Sequence, residues 1–327
     1  MFRIARLMLA VPLLVIGAST NVPAASPDWP KSLTLVTASP GGVYYIYGDE
    51  LAKILTEKLG IPVDPLPTQG TLHNVKAVEN GTGQLGMITM GVGLEAWNGT
   101  GDWAKGQKYR QMRALFPMYD TPFQPVALRR SGLVTFAQIE NKRIGIGPRA
   151  GTSGTYVPAV LKVLGISAEI VNGPHEEMGT DLLGGRLDAY VSMLGAPTPT
   201  LAKVEENEPI TFLSLSPEQI QALQKAMPEL SKGKLAAGTY RSLDKDYVTL
   251  GVYNFAIGRA DLPDDLVYQV VKAVFESQPR LLKIHPAAQE TVPQNVDKDT
   301  FLPLHPGAVR YYREIGIDIP ASLTASN

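Results

Sequence analysis

The apolar positions of this chain alternate between two spacings. Short, largely apolar runs at Leu33–Thr37, Leu85–Met90, Arg143–Ile146, Glu169–Asn172, Ala189–Met193 and Phe212–Leu215 read as strands. Between them, apolar residues recur every three or four positions. Leu51, Leu55 and Leu59 form one such stripe, with Asp49, Glu50, Lys53, Glu57 and Lys58 on the polar side and Gly60 as the stop. Asn80-Gly81 ends a second helix, and Glu176–Leu183 reads as another. Ser216-Pro-Glu-Gln219 has the form of a capping box with proline at the first helical position, so a helix should follow. Leu266, Val267, Val270, Val271, Val274 and Phe275 give Pro263–Ser277 a wide apolar face. A shorter helix is expected over His305–Ile315. Strands alternating with helices predict an α/β fold.

Three strand-to-helix joins share one chemistry. Ser39-Pro-Gly-Gly-Val43 precedes a helix near Tyr44–Leu59. Thr68-Gln-Gly-Thr71 follows a strand around Val63 and precedes a helix to about Glu79. Gly147–Thr155 follows Arg143–Ile146 and precedes a helix to Leu164. A helix start has backbone N–H groups with no partner inside the helix, so each turn is a ready anion site. In an open sheet such turns line the crevice at the carboxyl ends of the strands.

The candidate contacts follow from those turns. Gly41, Gly42, Gly70, Gly151 and Gly154 would let backbone approach a ligand, or are ordinary turn glycines. Thr71, Thr152, Ser153 and Thr155 would supply hydroxyls, which also suit helix caps. One of Tyr44 and Tyr45 should face the cleft and the other the core, and the order stays open. Asn74, one turn into the second helix, reads on spacing alone as a solvated helix residue, and its candidacy rests on the resemblance of Thr68–Asn74 given below. Thr89 ends a strand beside the first two turns. Arg149 is the only cation in the three turns; it is a partner for a carboxylate or an ordinary surface arginine. Pro197, in Ala196-Pro-Thr-Pro199, follows the strand Ala189–Met193 and is placed to close the far side.

At 327 residues the chain is long for one core, which points to two lobes. Strands at Met112–Phe116 and Val126–Arg129 are separated by Pro117, Pro122 and Pro125, a natural crossing between lobes. Val248–Ile257 reads as the return crossing. The expected division is a first lobe of 26–124 with 256–327 and a second of 125–255. Two such lobes joined by crossings form a hinge that closes over a ligand.

Net charge is −1, which gives no field for nucleic acid. There are no cysteines, so disulfides, thiolate metal sites and cysteine nucleophiles are excluded. The histidines, His73, His175, His285 and His305, form no metal spacing, and no cofactor motif or catalytic set stands out. Gly-x-Ser-x-Gly, the nucleophile elbow, is absent around any plausible serine. At the N-terminus Arg3 and Arg6 precede the apolar stretch Leu7–Ile16 and then small residues at Val22-Pro-Ala24-Ala25. Positive, apolar, then small is a secretory signal peptide, here 1–25. The mature chain is expected in the periplasm.

Several segments resemble, in order, those of the TAXI-type solute-binding proteins of TRAP transporters. They are Gly41-Gly-Val-Tyr-Tyr45, Thr68-Gln-Gly-Thr-Leu-His-Asn74, Gly83-Gln-Leu-Gly-Met-Ile88, Gly184-Gly-Arg-Leu-Asp-Ala189 and Ala260-Asp-Leu-Pro-Asp-Asp-Leu-Val-Tyr268. The resemblance covers nearly all of the mature chain. It implies a type II periplasmic binding fold, two α/β lobes with a ligand cleft between them. It also implies a monomeric receptor that passes a small carboxylate, such as an amino acid, an oxo-acid or a dicarboxylic acid, to the membrane subunits of a TRAP transporter. The third turn departs from the family, being two residues longer and carrying Pro148 and Arg149. Glutamate is therefore not carried over as ligand. A receptor for an ABC importer or a sensor kinase, and less favourably a secreted hydrolase, are the competing readings.

Overall fold

The computed structural model describes residues 26–298 and 300–324. The expected signal peptide lies outside the described residues. The first elements are β1 Leu33–Val36, α1 Val43–Leu59, β2 Val63–Leu66, α2 Thr71–Asn80, β3 Leu85–Thr89, α3 Met90–Asn98 and β4 Met112–Leu128. Then come β5 Arg143–Gly147, α4 Thr152–Leu164, β6 Glu169–Asn172, α5 His175–Leu183, β7 Ala189–Met193, α6 Pro199–Asn207, β8 Ile210–Phe212, α7 Pro217–Ala226 and β9 Ser231–Leu235. The chain closes with β10 Tyr247–Arg259, α8 Asp264–Glu276, α9 Gln278–Ile284 and α10 Pro306–Glu314.

The strand order is β2-β1-β3-β10-β4-β7-β5-β6, with β8 beside β4 and β9 beside β10. β1 runs parallel to β2 and β3, and β5 runs parallel to β6 and β7. These are two separate parallel α/β groups, as the alternation of strands and helices predicts. β10 and β4 link them: β10 pairs with β3 of the first group, and β4 pairs with both β10 and β7 of the second. The first part of β4 pairs antiparallel with β10, and its last residues pair with β7 and β8. β10 pairs with β9 at its start and with β3 at its end. The result is a two-lobed α/β fold with a curled sheet.

One expectation is corrected here. The proline-rich passage is not a loop between two strands: Met112–Leu128 is one strand. Proline cannot donate to a ladder, so it is tolerated where pairing is irregular. β4 carries an extra residue opposite β10 between Ala114 and Phe116 and again between Pro117 and Asp120. These two bulges flank Pro117 and bend the strand as it passes between the groups. β9 was not legible because its Ser-Lys-Gly-Lys-Leu sequence has one apolar residue, a composition that suits a sheet edge.

Local signals elsewhere are realised. Gln219 N–H donates to Ser216 Oγ at 3.2 Å and Ser216 N–H donates to Gln219 Oε1 at 2.8 Å, which completes the capping box of α7. The apolar face of α8 is buried at Leu266, Val267, Val270, Val271 and Val274. One large core cluster runs through both groups and includes Phe116, Tyr119, Phe123 and Phe255. The crossing strands are therefore part of the packed interior.

Candidate functional site

The starts of α1, α2 and α4 meet around one cavity, partly open to solvent, whose empty space including that at its opening is about 370 Å³. Gly42, Gly70 and Gly151 occupy the three cap positions, and none of these helices has a side-chain cap. None has an acidic residue in its first turn either. Three positive helix ends are thus left uncompensated toward one space.

The turns that aim them are tightly specified. Gly41 has φ +84°, and a β-carbon there would lie 2.8 Å from Thr200 Oγ1 and from Glu176 Cγ. The Gly41 carbonyl instead accepts the Thr200 hydroxyl at 3.2 Å. Before α2, Gly70 N–H donates to Thr68 Oγ1 at 2.9 Å. Thr71 and Thr152, at the first positions of α2 and α4, place their hydroxyl oxygens 3.2 Å apart. Leu72 N–H donates to the Ala150 carbonyl at 3.0 Å, joining the same two turns.

The floor comes from β4 and β10. Tyr119 and Thr121 of β4 face the cavity beside Tyr44. Asn254 of β10 ties the three together: it accepts the Tyr44 hydroxyl and donates to the Tyr119 carbonyl and to Thr121 Oγ1. Burial pushes the Tyr44 and Tyr119 hydroxyls well above their usual pKa, so both stay protonated. Tyr119 is 0% exposed, yet its hydroxyl has no partner, and neither has the buried Ser39 Oγ on the opposite rim. Such orphaned buried groups are uncommon in native proteins.

A fourth helix start, that of α5, brings His175. Its ring is buried and Nδ1 lies 2.7 Å from the Tyr190 hydroxyl. Burial pushes its pKa down to about 4, so the ring is neutral at pH 7. Met193, Leu194 and Gly195 at the end of β7 supply an apolar wall. Among the described residues, no charged side chain lines the cavity. Its surface consists of peptide groups, hydroxyls, the Gln69 side chain, one neutral imidazole and apolar groups.

The sequence pattern of the NMT1-like family matches residues 35–316. The chain belongs to the NMT1-like family. Its fold is similar to that of solved periplasmic proteins. The periplasmic binding protein BugD superposes with a TM-score of 0.56 at 13% identity, covering 89% of this chain and 99% of that one. A periplasmic transporter protein gives 0.52 at 11% identity over 80% and 87% of the two chains. The alkanesulfonate-binding protein SsuA from Xanthomonas axonopodis pv. citri, bound to MOPS, gives 0.51 at 15% identity over 87% and 84%. At these identities the likeness is one of fold.

Among the sequence candidates, this NMT1-like chain brings Gly42, Tyr44, Gly70, Thr71 and Thr152 together on the cavity wall. It is Tyr44 that turns inward, whereas Tyr45 is 36% exposed on the outside of α1. The other candidates lie off the wall. Asn74 is a brace: its Nδ2 donates to the Thr37 and Met87 carbonyls at 2.7 Å each, and its Oδ1 accepts the Thr68 hydroxyl at 2.7 Å. Ser153 Oγ accepts Met193 N–H at 2.9 Å and so fixes the end of β7. Thr155 donates back to the Gly151 carbonyl at 3.1 Å. Gly154 packs on its own turn, where a β-carbon would lie 2.4 Å from the Pro148 and Arg149 carbonyl oxygens. Arg149 is exposed on the outside of that turn. Thr89 is buried at the start of α3, and the Pro197 carbonyl meets His285 Nε2 at 2.9 Å.

Gly151, read among the turn glycines, is on the wall too, whereas sequence reasoning missed Ser39, Gln69, Tyr119, Thr121, His175 and the end of β7. Ser39 and Gln69 lie inside the very turns that were read. The strand-turn-helix rule, applied to Gly173-Pro174, would also have found His175. Tyr119 and Thr121 were hidden by the prolines, which made their segment look like a loop.

Proposed function

We propose that this protein is an extracytoplasmic receptor that binds a small organic anion, a carboxylate, in the cleft between its lobes and hands it to a membrane transporter. The observation that carries this reading is the convergence of three uncapped, glycine-started helices on one cavity without charged side chains. Such a site binds an anion by N–H donors and oriented dipoles, and these need no bound counter-ion. The protein acts as a binder and not as an enzyme. A hydrolase needs a base on its nucleophile, and among the described residues no serine or threonine hydroxyl is hydrogen-bonded to the imidazole on this wall, whose bond is to Tyr190. Calorimetric titration of the mature protein with a panel of carboxylates tests the reading, and silence across the panel would defeat it.

The transporter we infer is of the TRAP type, on the strength of the ordered TAXI-like segments. Uptake by vesicles holding the neighbouring membrane subunits should then require a sodium gradient; uptake driven by ATP instead would assign the receptor to an ABC importer. The charged, apolar and small N-terminal pattern supports export of the mature protein to the periplasm. Mass spectrometry of the native protein should find it starting near Ala25.

A further inference from the structure

Resting on the receptor reading above, we infer that the ligand is a monocarboxylate bearing an uncharged oxo or hydroxy oxygen, and that free amino acids are excluded. The argument begins with charge. The helix ends of α1, α2 and α4 carry no acidic residue in their first turns. That of α5 carries Glu176 and Glu177, which offset its dipole. Each uncompensated end acts as roughly half a positive charge, a set that suits one carboxylate.

An ammonium group in the same cavity would face those positive ends. It would also lack a counter-charge, because neither Asp nor Glu lines the wall among the described residues. His175 is neutral and offers no charge of either sign. Burying an unpaired charge is far costlier than burying a neutral oxygen. A second carboxylate meets the same difficulty, since among the described residues no Lys or Arg lines the wall.

The remaining polar chemistry is neutral. Tyr119 Oη and Ser39 Oγ are buried hydroxyls without partners. Tyr119 lies on the floor of the site with its proton retained, so it can donate to a ligand ketone or hydroxyl oxygen. Val43, Met193 and Leu194 leave the rest of the wall apolar, which suits an alkyl remainder.

The test is calorimetry on the mature protein with matched pairs that differ only at the second carbon. The pairs are pyruvate with alanine, 2-oxobutyrate with 2-aminobutyrate, and 4-methyl-2-oxopentanoate with leucine, with 2-oxoglutarate as the dicarboxylate. At least one oxo-acid should bind at least tenfold more tightly than its amino partner and than 2-oxoglutarate. Equal or tighter binding of the amino acids would overturn the inference and leave the receptor reading standing. Tightest binding by 2-oxoglutarate would overturn the single-carboxylate part. Silence from every compound would overturn the inference and the carboxylate reading together. Tyr119→Phe supplies the second arm. It removes a hydroxyl that bonds nothing in the protein, so the melting temperature without ligand should hold while oxo-acid affinity falls about tenfold. Unchanged affinity would remove Tyr119 from ligand recognition.

Discussion

Gly70 and Gly151 touch backbone to backbone: a β-carbon built on Gly70 would lie 2.9 Å from the Gly151 Cα. The first belongs to the turn before α2 and the second to the turn before α4, so the contact joins the two lobes at the cavity mouth. The Thr71–Thr152 and Leu72–Ala150 bonds lie beside it, and Thr200 and His285 bridge the lobes elsewhere. The contact depends on the absence of a side chain at both positions.

Gly151→Ala isolates that dependence. Gly151 has an ordinary φ of −83°, so alanine brings no backbone strain. Its β-carbon would sit 3.1 Å from the Gln69 carbonyl oxygen, across the mouth. Closure should be disfavoured, and ligand affinity should fall by about tenfold while the unliganded melting temperature changes little. Small-angle scattering should show a reduced ligand-induced compaction relative to the parent protein. Full compaction in the variant would count against a mouth held shut by glycine contact.

Asn74→Ala should act on stability. The side chain satisfies two carbonyls and one hydroxyl in a buried corner where β1, β3 and the turn before α2 meet. Leaving buried groups unpaired costs about 1–3 kcal/mol each, so a loss of about 3 kcal/mol in urea unfolding is expected. A variant as stable as the parent but unable to bind would return Asn74 to the ligand.

Within the third turn, Arg149 and Gly154 should separate. Arg149→Ala removes an exposed cation that stands off the wall, and affinity for any carboxylate should stay within about twofold. Gly154→Ala forces a β-carbon against two carbonyl oxygens of its own turn, and the fold itself should weaken, by about 1–3 kcal/mol. Thermal unfolding and titration of both variants distinguish these outcomes. A strong affinity loss in Arg149→Ala would mean that the turn rearranges on binding.

These cases show what a sequence carries. The three strand-turn-helix joins were legible because glycine, hydroxyl and helix-start signals coincide within a few residues. The first two meet because β1 and β2 are parallel neighbours, and the third joins them across the antiparallel β10 and β4 that link the two groups. The roles inside a turn were not legible. Ser153, Thr155 and Asn74 have the chemistry of ligand donors, and only packing shows that their bonds close on the protein. Tyr119 was lost for a different reason: Pro117 is accommodated by bulges that depend on β10, more than 130 residues away along the chain. Tyr44 and Tyr45 could be told apart only once α1 was placed against the floor.

The last prediction concerns pH. His175 has a folded pKa of about 4 because burial disfavours its charged form. In the unfolded chain an ordinary histidine titrates near 6.5. Below that value the unfolded state takes up a proton that the folded state refuses, so protonation favours unfolding. The contribution of His175 to stability is therefore fully present above about pH 6.5 and declines as pH falls toward 4. The slope approaches about 1.4 kcal/mol per pH unit, for a total of about 3 kcal/mol. Burial also lowers the pKa values of His285 and His305, and both push in the same direction. Urea unfolding at pH 8, 6 and 5 should show a plateau and then a fall. In His175→Gln the imidazole is replaced by a group that does not titrate, and the fall between pH 6 and 5 should be shallower than in the parent. Parallel curves for the two proteins would mean that His175 takes up its proton as readily folded as unfolded, and its buried, Tyr190-held position would not then explain the loss of stability in acid.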